Sequence, residues 1–146
     1  MNKEYPRRIL IAPLDWGLGH ATRCIPLIRE WIKKGDEVVI AASGNGAAIL
    51  QAAFPECKII PLHGYGIRYD SHLPLLFSLL LQLPKFLRAI RHEKNWLRNL
   101  LEKEKFDLIV SDNRYGFYSQ HVKSILITHQ LFIQVPDGLS FLKKFI

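Results

Sequence analysis

The segment covering residues 9–26, ILIAPLDWGLGHATRCIP, limits the possible folds more than any other stretch, because it joins an apolar run to a helix through a glycine-bearing turn. The run at residues 8–12 is short, rich in isoleucine and followed by Pro13, as expected of a strand buried on both faces. Gly17 and Gly19 let the backbone turn sharply and approach a ligand with no Cβ in the way. The helix predicted from His20 points unpaired N–H groups and the positive end of its dipole at that turn. A histidine placed there is disfavoured as a cation, which leaves a neutral imidazole able to accept a proton.

The rest of the chain repeats the strand–helix alternation. The first helix is expected from His20 to residue 34, ended by Gly35. A second strand at 37–42 (EVVIAA) leads through Ser43-Gly44-Asn45-Gly46 into a helix ending at Ala53. A short third strand at 58–61 and a loop at 63–72 come next, then a helical region at 73–104 broken at Pro84. A fourth strand at 107–111 (DLIVS), a short helix from about Arg114 and a fifth strand at 124–128 (SILIT) complete the pattern. This order predicts a doubly wound α/β fold, a Rossmann-like parallel sheet of five strands in the order 3-2-1-4-5. The 146 residues fit one domain. Residues 140–146 read as the start of another amphipathic helix with no cap, so a fragment of a longer protein is expected.

In such sheets a ligand sits beyond the carboxyl ends of the strands, where the strand order reverses. The loops at 14–20 and 111–115 should face each other there. The second reads Ser111-Asp112-Asn113-Arg114-Tyr115, an acid, an amide and a base at a strand tip. His20 as proton acceptor and Asp112 as the carboxylate that orients it form the expected pair. A dinucleotide site is disfavoured, because GLGHAT lacks the third glycine of G-x-G-x-x-G and the second strand ends in Ala-Ala-Ser rather than an acid. A phosphate loop of the G-x-x-x-x-G-K-S/T type is absent. Cys24 and Cys57 fit neither a metal spacing nor a disulfide framework.

Charge adds a further possibility. The net charge is +7, and residues 85–105 carry seven Lys or Arg against three Glu, hence +4 of that total. Beside them lies LPLLFSLLLQL at 73–83, far too short to span a bilayer. It reads either as a buried core helix or as an apolar patch resting on anionic lipid, edged by Lys85, Arg88, Arg91 and Arg98. Nucleic acid is not expected as a partner, because no aromatic stacking set accompanies the charge. The basic start at residues 1–8 leads into a strand too short for a signal peptide, so a cytoplasmic protein is expected.

Gly19-His20-Ala21-Thr22-Arg23-Cys24-Ile25-Pro26 resembles the GH…P signature that opens the acceptor domain of GT-B glycosyltransferases, most closely those of family 28 and the MurG-like group. The SDNRYG and Thr128-His129-Gln130-Leu131 segments are similar to the same group, so the resemblance covers nearly the whole chain as an N-terminal half. It implies inverting transfer of a sugar, such as an N-acetylhexosamine, from a nucleotide-sugar donor to an acceptor hydroxyl. The acceptor, a sugar or a lipid-linked molecule, would bind mainly to this half. The donor would be held mainly by a C-terminal domain that this chain lacks, so the fragment alone is expected to be inactive. The resemblance makes His20 the base and Asp112 its orienting acid by position, with Asp15 as the competing base. Gly17, Gly19, Thr22, Asn113, Arg114 and His129 become candidate substrate contacts. It implies no metal and no cofactor, and a place at the inner face of the membrane. A non-catalytic α/β domain, binding a phosphorylated ligand or a catalytic partner subunit, is the alternative expectation.

Overall fold

The structure, a computed structural model, describes residues 5–64 and 75–128, with the backbone alone at 75–83. Five parallel strands form one sheet in the order β3-β2-β1-β4-β5, as the alternation of apolar runs predicts. The strands are β1 (Arg8–Pro13), β2 (Glu37–Ala41), β3 (Lys58–Ile60), β4 (Leu108–Asp112) and β5 (Lys123–Ile127). The helices are α1 (Leu18–Lys33), α2 (Gly44–Ala53) and α3 (Leu75–Leu101).

Strand parity divides the core into two layers. Side chains of successive strand residues point to opposite faces. Ile9 and Ile11 of β1, Val38 and Ile40 of β2, and Leu108 and Val110 of β4 pack with Ala21, Cys24 and Ile28 of α1 and Leu50 of α2. The alternate residues, Leu10, Ala12, Val39, Ala41 and Ile109, pack with Leu97 of α3, Leu62, Phe106 and Phe117. A strand covered on both sides has no polar face, which is why these runs read as continuously apolar. Each fully buried Ile, Leu or Val side chain stabilises the fold by roughly 1.5–3 kcal/mol relative to an exposed one.

Two local expectations are corrected. No helix forms after Arg114; residues 113–122 cross from β4 to β5 in turns. Asn113 adopts φ 54°, in the left-handed region, and Gly116 is pressed against α3, where an added Cβ would lie 2.3 Å from the Ile90 carbonyl oxygen. Both constraints oppose a helical start. Pro84 does not break the long helix, for α3 runs through it. The proline removes one N–H, while the strong helix formers that follow keep the remaining ladder intact. Elsewhere the boundaries shift by one or two residues, and α1 begins at Leu18, which puts His20 inside its first turn. The 65–72 part of the expected loop, the start of the apolar 73–83 stretch, His129 with the segment around it, and the helix expected at 140–146 lie outside the described residues. None of the described helices is long and apolar enough to cross a membrane.

Candidate active site

Asp112 faces α1 because of its position in β4. Leu108 and Val110 point to the α1 side, so Asp112, two residues further on, continues the same row. It is paired in register with Pro13 at the end of β1, which places it at the switch point between α1 and the neighbouring crossover. The carboxylate has no exposed surface. A buried carboxylate needs partners, and α1 provides two.

His20 and Arg23 lie three residues apart on α1 and so share one face of the helix. The Nδ1 of His20 is 2.9 Å from Asp112 Oδ2. Arg23 Nε donates to the same oxygen at 2.8 Å, and its Nη2 lies 2.8 Å from Oδ1 as an ion pair without a well-directed hydrogen bond. Arg23 Nη2 also stands 2.5 Å from His20 Nδ1. Acid, imidazole and guanidinium therefore form a closed triangle at the carboxyl edge of the sheet. Arg23 was not among the residues expected at the site, although its spacing of three from His20 carried the signal. The Cys24 thiol beneath the triangle is fully buried; burial, and then the Asp112 charge, push it up to about 12.

The neighbouring turns are built for close approach. Gly17 precedes α1 with φ 78°, a conformation that favours glycine, and no side chain caps the helix. α2 also lacks a side-chain cap; Ser43 Oγ is buried without a hydrogen-bond partner. Two helix N-termini without a side-chain cap thus follow β1 and β2 at the same edge. Among the described residues nothing lies within 4 Å of the position a Cβ would take on Gly19. Asp15 is exposed and rests against two glycine backbones: a Cβ on Gly64 would fall 2.7 Å from the Asp15 Cβ, and one on Gly44 would fall 3.7 Å from Oδ1. Trp16, Leu18 and Tyr115 expose large apolar surfaces on the same loops. Sequence reasoning passed over these three.

The other candidates serve the fold in visible ways. Thr22 is exposed, and its hydroxyl donates to the Gly19 carbonyl at 3.2 Å. The Asn113 N–H donates to the Ile127 carbonyl at 2.9 Å, which ties the tip of β4 to β5. Arg114 turns inward, only 1 % exposed. Its Nε donates to the Pro13 carbonyl at 2.8 Å and its Nη1 to Glu93 Oε1 at 2.7 Å. A longer bond, 3.3 Å, joins Nη1 to the His63 carbonyl. The guanidinium thus clamps β1 to α3 from beneath the site. Among the described residues no three His, Cys, Asp or Glu side chains converge as metal ligands.

No protein-family model matches the chain, and no curated protein matches it. Solved structures share its fold. The calicheamicin glycosyltransferase CalG4 superposes with a TM-score of 0.67 at 15 % identity, covering 97 % of this chain and 36 % of its own. The glycotransferase of kitacinnamycin gives 0.62 at 22 % identity, over 86 % of this chain and 31 % of its own. The C-terminal domain of the PF1911 hydrogenase from Pyrococcus furiosus gives 0.50 at 15 % identity, over 86 % of this chain and 95 % of that domain. The chain therefore spans about a third of the length of the two glycosyltransferases. At these identities the likeness is one of fold alone: a Rossmann-like parallel α/β domain, shared with the two glycosyltransferases and with the hydrogenase domain.

Proposed function

We propose that this chain is the acceptor-binding half of an inverting glycosyltransferase, with His20 as general base and Asp112 as its orienting acid. The observation that carries the reading is the 2.9 Å contact between His20 Nδ1 and the buried Asp112 at the switch point of the sheet. With Nδ1–H directed at Asp112, Nε2 takes the proton of the acceptor hydroxyl. The acceptor oxygen forms a bond to the anomeric carbon as the bond from that carbon to the nucleoside diphosphate breaks, and configuration inverts. Asp112 stabilises the imidazolium, and the backbone N–H groups at Gly17–Gly19 face the developing diphosphate charge. The rest of the donor site belongs to a second domain. Trp16 and Tyr115 offer flat apolar surfaces to the acceptor. Within this reading the finer class is family 28, MurG-like, with an N-acetylhexosamine donor sugar and a lipid-linked acceptor at an anionic membrane surface in the cytoplasm.

The test is an assay of the intact gene product that carries this chain against a panel of nucleotide sugars. His20→Ala should lower kcat by about 10²–10⁴ for the accepted donor. Full activity in that variant removes the base, and a large loss in Asp15→Ala alone transfers the role to Asp15. A second reading, a non-catalytic domain that binds a phosphorylated ligand or a partner subunit, is favoured by the likeness to nearly the whole of the hydrogenase domain. An intact product that transfers no sugar from any donor, yet binds inorganic pyrophosphate, supports it.

A further inference from the structure

A cavity of about 690 Å³ opens at the amino ends of β4 and β5, the edge of the sheet opposite His20 and Asp112. Asp107 lines it and Asp112 closes β4 at the far end, so five strand steps, about 16 Å, keep the two places apart. Its floor is apolar: Leu97 and Phe106 are buried, and Leu101 and Val122 pack beside them. Lys94 and Arg98, one turn apart on α3, are both exposed above that floor. Tyr118 of the β4–β5 crossover meets them from the other side, with Lys94 Nζ 5.2 Å from its ring centre and donating to its hydroxyl at 3.4 Å.

The charges around the cavity do not cancel. Three acids line it, and two of them are already taken. Glu104 pairs with Arg8 at 2.7 Å and with Lys58 at 2.8 Å, both outside the lining. Asp107 Oδ2 accepts the Arg8 N–H at 2.7 Å. That leaves Glu102 against Lys94, Arg98 and Lys105. Among the described residues the Arg98 and Lys105 side chains make no hydrogen bond or ion pair. Positive charge therefore stands unmatched on the rim of an apolar hollow.

We propose that this cavity is a second binding site, for a small organic anion whose apolar body lies on Leu97, Leu101, Phe106 and Val122 and whose acidic end is held by Lys94 and Arg98. Its size falls in the range of small-molecule sites, roughly 300–1,000 Å³. The body gains by leaving water, and the planar fork of Arg98 suits a carboxylate, phosphate or sulfonate. A neutral compound leaves the two cations without a partner, and a bare inorganic anion leaves the floor in water. Occupancy of this edge is independent of the transfer reaction proposed for the other.

The deciding experiment is fluorescence titration of the intact gene product with 8-anilinonaphthalene-1-sulfonate and with N-phenyl-1-naphthylamine, the same body without the sulfonate. Wild type should bind the sulfonate saturably and at least about tenfold more tightly than the amine. Replacing both exposed cations, Lys94→Gln with Arg98→Gln, should abolish that preference and leave the affinity for the amine within about twofold. Leu101→Trp, which fills the hollow, should weaken both probes by about tenfold or more. His20→Ala, at the far edge, should bind both as wild type does. A wild type without preference for the sulfonate, a preference that survives in the double variant, unchanged binding in folded Leu101→Trp, or loss of binding in His20→Ala overturns the proposal. If Leu101→Trp fails to fold, the double variant and His20→Ala decide.

Discussion

Glu93 of α3 and Arg114 beyond β4 meet at 2.7 Å with neither side chain more than 2 % exposed. Glu93 also accepts the Gly116 N–H at 3.2 Å, so one carboxylate holds both the cation and the backbone of the β4–β5 crossover. Breaking a buried pair leaves a charge without compensation, at a cost of about 3–5 kcal/mol. Glu93→Gln should therefore lower stability by that amount in urea unfolding. A loss under about 1 kcal/mol would mean that the pair is solvated and does not anchor the crossover.

Gly19 separates folding from ligand approach. It lies in the first turn of α1, its φ is not positive, and no atom of the described residues would meet an added Cβ. Gly19→Ala should leave the fold intact and raise stability by about 0.5–1 kcal/mol, because alanine suits a helix better. If this turn faces a substrate, the same methyl should reduce turnover of the intact protein. Thermal unfolding and donor kinetics measured together test the two halves of that statement; a variant with wild-type kinetics shows that no ligand comes close to Gly19.

Asp36 predicts an acid limit. Its carboxylate receives Arg7 Nη2 at 2.7 Å, and also the Arg7 N–H at 3.0 Å. The guanidinium hydrogen bond is the main cause that holds its pKa below the ordinary carboxylate value. A group depressed in the folded state stabilises above its unfolded pKa of about 3.9, and that contribution fades as pH falls through the folded value. The stability gap between wild type and Asp36→Asn should be open at neutral pH and narrow steadily below about pH 5. Urea midpoints compared at both ends check this, and a gap of constant width would disprove it.

The two thiols should be inert in the native protein. Cys24 has no exposed surface, and burial pushes its thiol up to about 12; burial also raises Cys57. Alkylation at mildly alkaline pH should be at least about 100-fold slower than for an exposed cysteine and should become fast in urea. Rapid labelling of Cys24 in the folded protein would show that α1 opens locally.

The sheet could be read from the sequence because each strand is a short apolar run bounded by turn residues, and a strand covered on both faces has no other pattern available. His20 and Asp112 were legible for a related reason: strand order places the ends of β1 and β4 side by side. Arg114 was harder. A cation at a strand tip does not announce its carboxylate partner, Glu93, which is 21 residues earlier in a stretch of net basic charge. Only tertiary packing brings Glu93 inward. The crossover after Arg114 was misread because local propensity does not register that Gly116 lies against the Ile90 carbonyl.

One consequence follows from the single row formed by Leu108, Val110 and Asp112. The acid belongs to the α1 layer only through even numbering along β4. Removing one residue within that strand would exchange Asp112 for Asn113, setting an amide beside His20 and driving the carboxylate among the apolar side chains beneath α3. Point substitutions can change the chemistry of this edge by degrees. A one-residue slip would erase it in a single step while leaving the composition of the strand almost untouched.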